Sequence, residues 1–134
     1  MIDRVDHLVL TVQSLEATCA FYTGCLDFER IDRPGKPTSL RFGQQKINLH
    51  EAEHTFDPKA RRPTPGSADF CLVAAVPLAD VAERLAQHRV AIEVGPVQRD
   101  GALGPMQSIY FRDPDGNLVE VSHYGAAHPV VGDR

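Results

Sequence analysis

The sequence lacks the features of several large protein classes. It has no excess of positive charge, since 14 Lys and Arg stand against 18 Asp and Glu and give a net charge of −4. A nucleic-acid partner is therefore not expected. No apolar run reaches the roughly 20 residues of a membrane-spanning helix, and residues 1–4 carry no signal-peptide pattern. We expect a cytoplasmic protein without a membrane partner.

Cysteine is also scarce. The three cysteines, Cys19, Cys25 and Cys71, have the spacing of neither a metal knuckle nor a redox motif. Their odd number favours reduced thiols, as in a cytoplasm. We interpret each of them as a small buried hydrophobe.

What is present is ordinary for a globular domain. The chain has 134 residues, of which 43% are hydrophobic and 24% charged, which is enough for one proper core. We predict a single domain over residues 3–124, followed by an irregular tail over 125–134.

The same order of predicted elements occurs twice. Alternation of apolar residues predicts four strands in each half, and a helical stripe predicts one helix after the first strand of each. The predicted strands are 5–12, 28–32, 39–42 and 46–50, then 68–75, 90–94, 107–112 and 117–122. The predicted helices begin after a Ser14 cap and at Leu78. This is the pattern of an internal duplication, so we predict an α+β fold of tandem βαβββ modules, 3–52 and 67–124, joined by a linker over 53–66.

The alternation also assigns faces to the strands. One face of each strand is apolar and is expected to pack on the helices. The opposite face carries polar side chains: His7, Asn48, His50, Asp69, Ser108, Tyr110 and Glu120. Such a set is expected where two helix-backed half-sheets curve into a cup and line its cavity.

These polar residues include candidate metal ligands. His7, Glu120 and either Asp69 or His50 combine imidazole with carboxylate, a set that suits Mn, Fe, Ni or Zn. A site with two carboxylates would lean toward Mn or Mg. Each residue also has a structural interpretation: a strand His is often only hydrogen-bonded, Glu120 could be solvated, and Asp69 could cap the linker.

Two local motifs bear on this site. The turn Asp113-Pro114-Asp115-Gly116 predicts a hairpin whose geometry sets where the last strand begins, and hence where Glu120 points. His50-Glu51-Ala52-Glu53-His54 matches the H-E-x-x-H zinc protease pattern. That pattern needs a helix, whereas the residues before it alternate at strand period, so we do not interpret it as a protease site.

Two stretches of this chain resemble the vicinal-oxygen-chelate superfamily, also called the glyoxalase, bleomycin-resistance and extradiol-dioxygenase fold. They are Asp6-His7-Leu8-Val9-Leu10-Thr11-Val12, followed by a helix with Phe21-Tyr22, and Phe111-Arg112-Asp113-Pro114-Asp115-Gly116-Asn117-Leu118-Val119-Glu120. Residues 61–69 and 101–105 are similar to a subgroup of small glyoxalase-domain proteins, some described as virulence-associated. The resemblance implies a cup-shaped mixed sheet, one divalent metal ion (Mn, Ni, Zn, Fe or Mg) and usually a homodimer.

The resemblance also implies roles for residues, and at two positions this chain departs from it. His7 and Glu120 match family metal ligands, and Glu120 matches the carboxylate that acts as a base in glyoxalases. Asp69 stands where His is usual, and Asn48 stands where Glu or Gln is common, with His50 two residues on as a candidate fourth ligand. Tyr110, Asn48, Ser108 and Arg112 are candidates for substrate contact, and the 101–105 loop is a candidate lid.

Three functions follow from this resemblance. The leading hypothesis is a metal-dependent glyoxalase-type lyase or isomerase that acts on a small oxygenated substrate. A drug-binding resistance protein of the bleomycin-binding type would use the same cup without chemistry. An Fe(II) extradiol-type dioxygenase would need His7, His50 and Glu120 as its ligands.

Overall fold

Two copies of one element order make up the fold, which was determined as a computed structural model and is described for residues 1–125. The elements are β1 (His7–Val12), α1 (Leu15–Leu26), β2 (Glu29–Ile31), β3 (Thr38–Phe42), β4 (Gln45–Glu51), β5 (Asp69–Val73), α2 (Leu78–Gln87), β6 (Val94–Gly101), β7 (Gly104–Arg112) and β8 (Leu118–His123). The predicted α+β class and the tandem βαβββ order are confirmed. Neither helix is long and apolar enough to cross a membrane.

Each copy builds its own four-stranded mixed sheet. The strand orders are β1-β4-β3-β2 and β5-β8-β7-β6. In each sheet the first strand pairs in parallel with the last, and the remaining pairs are antiparallel. The parallel pair requires a long crossover, and in each copy that crossover contains the helix. By internal contacts the described residues divide into a first unit, residues 1–68 with Asp113–Asn117, and a second unit, Asp69–Arg112 with residues 118–125.

Helix α1 of the first unit begins as its sequence predicts. The Ser14 hydroxyl accepts a hydrogen bond from the Ala17 amide at 3.1 Å, which satisfies one of the amides that every helix start leaves free. The carboxylate of Glu51 accepts from the Leu15 amide at 3.0 Å, so a negative charge sits at the positive end of the helix dipole. Glu51 belongs to the H-E-x-x-H stretch, which continues from strand β4 into a turn rather than a helix, as expected.

The core of the first unit lies between α1 and the apolar face of its sheet. Tyr22 is fully buried and stacks on Phe28, with the ring centroids 5.4 Å apart. Phe28 in turn stacks on Phe42 at 4.5 Å. The other fully or nearly fully buried apolar side chains of this core are Leu10, Val12, Cys19, Cys25, Leu40, Ile47 and Leu49. Burial of this kind stabilises a protein by roughly 25 cal/mol per Å² of apolar surface.

The turn Asp113–Asn117 is held by a single carboxylate. The Asp113 side chain is buried and accepts four hydrogen bonds: from the Tyr22 hydroxyl at 2.7 Å, the Asn117 side-chain amide at 2.8 Å, and the backbone amides of Asp115 and Asn117, each at 3.0 Å. Burial of the ring, and then the contact with Asp113, raise the pKa of the Tyr22 hydroxyl, so it remains a donor. Gly66 passes so close that a Cβ there would meet the Asp115 carbonyl oxygen.

The second unit places its core on one face of the second sheet. Val119 and Val121 of β8 lie beside Ile109 and Phe111 of β7 on this face, and Val81 and Leu85 of helix α2 are buried with them. The predicted alternation of apolar and polar side chains between the two faces of β5, β7 and β8 is therefore confirmed.

Two local predictions were wrong. Strand β6 was expected over 90–94 but covers Val94–Gly101. Its pairing with β7 extends the strand through Gly95, Pro96 and Gly101, which are residues that usually interrupt a strand. The 101–105 stretch, the candidate lid, forms the tip of the β6–β7 hairpin, with Gly101 opposite Gly104. Cys71 is exposed rather than buried, whereas Cys19 and Cys25 are buried as expected. All but Gly125 of the predicted tail lies outside the described residues.

The hydrogen bond between Tyr22 and Asp113 yields a stability prediction. Replacing Tyr22→Phe removes one of four donors to a buried carboxylate, and we expect the free energy of unfolding to fall by about 2 kcal/mol. Urea denaturation measures the change. Tyr110→Phe is the matched control, since its half-exposed hydroxyl accepts from Arg99 and should cost much less. Equal losses in both variants would contradict the role given to Asp113.

Candidate functional site

The polar face of the first sheet carries the three residues predicted there. His7, Val9 and Thr11 of β1 lie opposite Lys46, Asn48 and His50 of β4 in the parallel ladder. Residues opposite one another in a ladder project from the same face, and so do residues two apart on one strand. His7, Asn48 and His50 therefore share one face, while Leu8, Leu10 and Ile47 project from the other.

His7 is partly exposed and is oriented by its neighbour. Its Nδ1 lies 2.8 Å from the Asp6 carboxylate, and its side chain is 44% exposed. This hydrogen bond lowers the pKa of the Asp6 carboxyl. A carboxylate on one ring nitrogen holds the proton there and leaves Nε2 as the basic atom, which is the usual arrangement of a metal-binding histidine.

Asn48 and His50 lie in different surroundings along the same strand. Asn48 is half-buried, and its side-chain oxygen accepts a hydrogen bond from the Ser39 hydroxyl at 2.8 Å. This contact directs the Asn48 amide nitrogen away from Ser39 and leaves its two protons for another acceptor.

His50 is buried, with 4% of its surface exposed. Its ring lies 5.4 Å from the ring of Phe56. Burial and the nearby charge of Lys59 lower the pKa of the His50 imidazole, so the ring is neutral at pH 7. Its Nδ1 is buried without a hydrogen-bond partner within the described part of the chain. A positive charge close by does not favour a metal cation at this imidazole.

The second sheet gathers the other predicted residues on one face. The ladder places Cys71 opposite Glu120 and Asp69 opposite Leu118, so Asp69 and Glu120 are diagonal neighbours. Across the β7–β8 ladder, Tyr110 lies opposite Glu120. The residues of β5, β7 and β8 on this face are Asp69, Cys71, Val73, Ser108, Tyr110, Arg112, Leu118, Glu120 and Ser122.

Two residues on this face, Cys71 and Ser122, were not predicted. The Ser122 hydroxyl is 3.2 Å from a Glu120 carboxylate oxygen, 2.7 Å from the Ser108 hydroxyl and 3.0 Å from the Cys71 sulfur. Their signal in the sequence was positional, since each lies two residues from a predicted ligand. Ser108 is fully buried, so its hydroxyl meets Ser122 rather than a substrate.

Tyr110 and Arg112, which were also predicted to contact substrate, are each paired with a charged side chain. Tyr110 accepts a hydrogen bond from Arg99 Nε at 2.9 Å, which leaves its hydroxyl proton able to donate. Arg112 forms a salt bridge to Glu93, with distances of 3.2 and 3.0 Å to the two carboxylate oxygens, and this pairing lowers the pKa of the Glu93 carboxyl. Tyr110 is therefore the better placed of the two to contact a ligand.

The donors assigned to a metal are divided between the units. His7 belongs to the first unit, and Asp69 and Glu120 belong to the second. Within either unit, residues 1–125 hold no group of three or more His, Cys, Asp or Glu side chains arranged to bind a metal ion.

The sequence is similar to that of several known proteins. The model of the Glyoxalase/Bleomycin resistance protein/Dioxygenase superfamily matches residues 4–121. The chain is 51% identical over 124 residues to virulence protein STM3117 of Salmonella typhimurium, covering 92% of this chain and 86% of that protein. It is 45% identical over 120 residues to glyoxalase domain-containing protein RDO1 of Mycosarcoma maydis, covering 90% of this chain and 68% of that protein.

Solved structures agree with the sequence matches. The crystal structure of STM3117 has a TM-score of 0.90 at 50% identity, covering 93% of this chain and 99% of that chain. Lactoylglutathione lyase from Agrobacterium tumefaciens gives 0.69 at 24% identity (91% and 94% covered), and the antibiotic-binding protein TnmS3 from Streptomyces sp. CB03234 gives 0.72 at 21% (92% and 98% covered). These last two share the fold alone. Because the family match spans most of the chain and close relatives cover nearly all of it, the chain belongs to the glyoxalase/bleomycin resistance protein/dioxygenase superfamily.

Proposed function

We propose that this protein is a metal-dependent lyase or isomerase of the glyoxalase type that acts on a small oxygenated substrate. The observation that carries the proposal is the setting of Glu120. A half-buried carboxylate on a strand between two buried valines is held by a hydroxyl donor and shares its face with Asp69 and Tyr110. This is the arrangement of a positioned carboxylate that binds a cation or moves a proton.

The donor set suits a divalent ion. We propose His7, Asp69 and Glu120 as its ligands, and the Asp6 contact leaves His7 Nε2 as the ligating atom. Two carboxylates with one imidazole lean toward Mn or Mg, and Ni, Zn and Fe remain candidates. We leave His50 out of the ligand set, because Lys59 lies near it and the imidazole is deeply buried.

The hydrogen bonds around Glu120 assign a direction to each proton. A carboxylate only accepts, so the single hydroxyl proton of Ser122 points to Glu120. Ser122 must then accept from both the Ser108 hydroxyl and the Cys71 thiol, at 2.7 and 3.0 Å. The two groups behind Ser122 therefore keep its proton aimed at the carboxylate, and Ser108 acts as a positioning residue.

The chemistry follows from these positions. When bound, the ion would act as a Lewis acid that polarises adjacent oxygens of the substrate. Glu120 then accepts a proton from the carbon next to a carbonyl and returns it at the neighbouring carbon, as a single base can do in an isomerisation. The Tyr110 hydroxyl and the Asn48 amide are donors that can hold the substrate oxygens. Asn48 has no basic atom, so it cannot replace Glu120 as base.

A second candidate function rests on a different observation. The first unit contains a cavity beside His50 with Lys59 and Arg62 at its walls, which would serve a binding protein without any chemistry. An extradiol-type dioxygenase is less well supported, because it would need His50 as an iron ligand beside Lys59.

We also propose a homodimer. Strands β1 and β5 are edge strands of their sheets, and edges with unpaired backbone groups invite pairing with another chain. Val9 and Val73 on these strands are 45% and 64% exposed. Sedimentation equilibrium should give twice the mass of one chain, and a monomer at all concentrations would contradict this.

Metal binding tests the proposed ligands. Replacing Glu120→Gln should weaken binding of Mn²⁺ by about two orders of magnitude or more, since loss of even an outer-shell partner costs 10–100-fold. Calorimetric titration of the chelator-treated protein measures the affinity. Glu83→Gln is the control, because it removes the same charge from an exposed position on helix α2. Equal affinity in the two variants would remove Glu120 from the site. If the wild-type protein binds less than about a tenth of an equivalent of any divalent metal, the proposed metal-dependent enzyme function is wrong.

The thiol of Cys71 reports on Glu120 without any metal. Burial is the largest cause that raises the pKa of this thiol, and the charge of Glu120 raises it further. Glu120→Gln should therefore lower the thiol pKa, increase the thiolate fraction at a fixed pH below that pKa, and accelerate alkylation by iodoacetamide several-fold. Mass spectrometry follows the modified peptide, and the buried Cys19 and Cys25 should not react. An unchanged rate would contradict the described contact.

A further inference from the structure

The first unit carries a cavity, open to solvent on one side, that contains none of the proposed metal ligands. Its volume is about 140 Å³, close to the size of an engineered cavity of about 150 Å³ that binds benzene. A ligand of five or six non-hydrogen atoms fits such a space, whereas drug-sized molecules need about 300 Å³ or more. Strands β1 and β4, the linker and the 113–117 turn supply the lining residues Val9, Leu10, Thr11, His50, Lys59, Ala60, Arg62, Pro63, Thr64, Ser67, Ala68 and Asn117.

The charge at this cavity has one sign. Lys59 and Arg62 contribute two positive charges, and none of the lining residues is Asp or Glu. Lys59 is partly engaged, with its amine 2.8 Å from the Thr55 hydroxyl and 3.5 Å from an Asp57 carboxylate oxygen. Arg62 is exposed, and its planar guanidinium offers donors spaced for two oxygens of one carboxylate.

A buried polar side chain forms part of the cavity wall. The imidazole of His50 lines the cavity, is 4% exposed, and has an Nδ1 without a hydrogen-bond partner within residues 1–125. Leaving such an atom unpaired costs about 1–3 kcal/mol. Because Nδ1 itself has almost no accessible surface, the His50 ring contributes a neutral part of the wall, and Arg62 is the group placed to donate to a ligand.

The other walls divide by polarity. Val9 and Pro63 form an apolar side, and Thr11 and Ser67 form a polar side. The Ser67 hydroxyl donates to the Thr64 carbonyl at 2.8 Å, and the Ser67 oxygen can still accept a hydrogen bond. A ligand with both an anionic end and a short apolar end matches this division, whereas inorganic phosphate has no apolar part.

We infer that this cavity binds a small organic carboxylate, with Arg62 donating to the carboxylate oxygens and Val9 and Pro63 covering its aliphatic part. This site goes beyond the proposed metal-dependent function. It uses residues of the first unit only, and it needs neither a metal ion nor Glu120.

The test is a titration of the metal-free protein, kept in chelator, with sodium propionate at constant ionic strength. Two-dimensional amide NMR should show saturable shifts at residues that line the cavity, such as Ala60, Thr64 and Ala68. Propionamide has the same size and no charge, and it should give no saturable shifts. Inorganic phosphate serves as the second anion and should bind more weakly than propionate.

Neighbouring arginines provide a matched pair of variants. Arg62→Gln removes a charge from the cavity wall and should weaken propionate binding about tenfold, the value of one charge-assisted hydrogen bond. Arg61→Gln removes the same charge one residue away, outside the lining, and should leave the affinity unchanged. Both positions are exposed, so neither variant is expected to unfold.

Several results would overturn the inference. Absence of saturable shifts with propionate would do so, and so would equal binding of propionamide. Equal weakening by Arg61→Gln and Arg62→Gln would show diffuse surface charge instead of a site. Tighter binding of phosphate would overturn the carboxylate class. Because the titration is run without metal, its outcome is distinguishable from success or failure of the Glu120 metal experiment.

Discussion

The carboxylate of Asp113 is the interaction on which the rest of this structure depends. A buried ionised carboxylate is expensive unless hydrogen bonds compensate it, and here a tyrosine hydroxyl, a side-chain amide and two backbone amides do so. Those four donors constrain the turn from several directions at once. The turn then has one geometry, and the strand that follows has one starting point.

That starting point matters because strand faces alternate with a period of two. A slip of one residue in β8 would exchange Glu120 and Ser122 with Val119 and Val121 between the polar and apolar faces. The observed register pairs Glu120 with Tyr110 on one side and Cys71 on the other. The position of the proposed catalytic carboxylate is thus a consequence of a turn seven residues earlier in the chain.

The two sheets present different chemistry on their polar faces. The second carries carboxylates and a serine hydroxyl that donates to one of them, which suits a cation and proton transfer. The first carries His7, oriented by Asp6, and leads to a cavity walled by Lys59 and Arg62, which suits an anion. The proposed lyase or isomerase depends on the carboxylates of the second sheet, and a binding protein would need only the cavity of the first.

Much of the fold and of the candidate faces could be predicted from the sequence. Ser14 as the cap of α1, the strand alternation around His7, His50 and Glu120, the duplicated element order and the non-helical context of the H-E-x-x-H stretch all depend on local spacing. Local spacing sets side-chain direction whatever the partner strand is. Family membership followed from the same two motifs at the ends of the repeat.

Other features were decided only by tertiary structure. Strand β6 forms through Gly95 and Pro96 because its hydrogen bonds go to β7, a partner that local composition does not reveal. The environments of Cys71 and Ser122 depend on the β5–β8 register, and the surroundings of His50 depend on a linker with no periodic pattern. The sequence by itself determined which face each side chain takes, since that is a property of the backbone repeat. Tertiary structure decided which side chains meet, since contacts between residues 50 or 100 positions apart depend on packing.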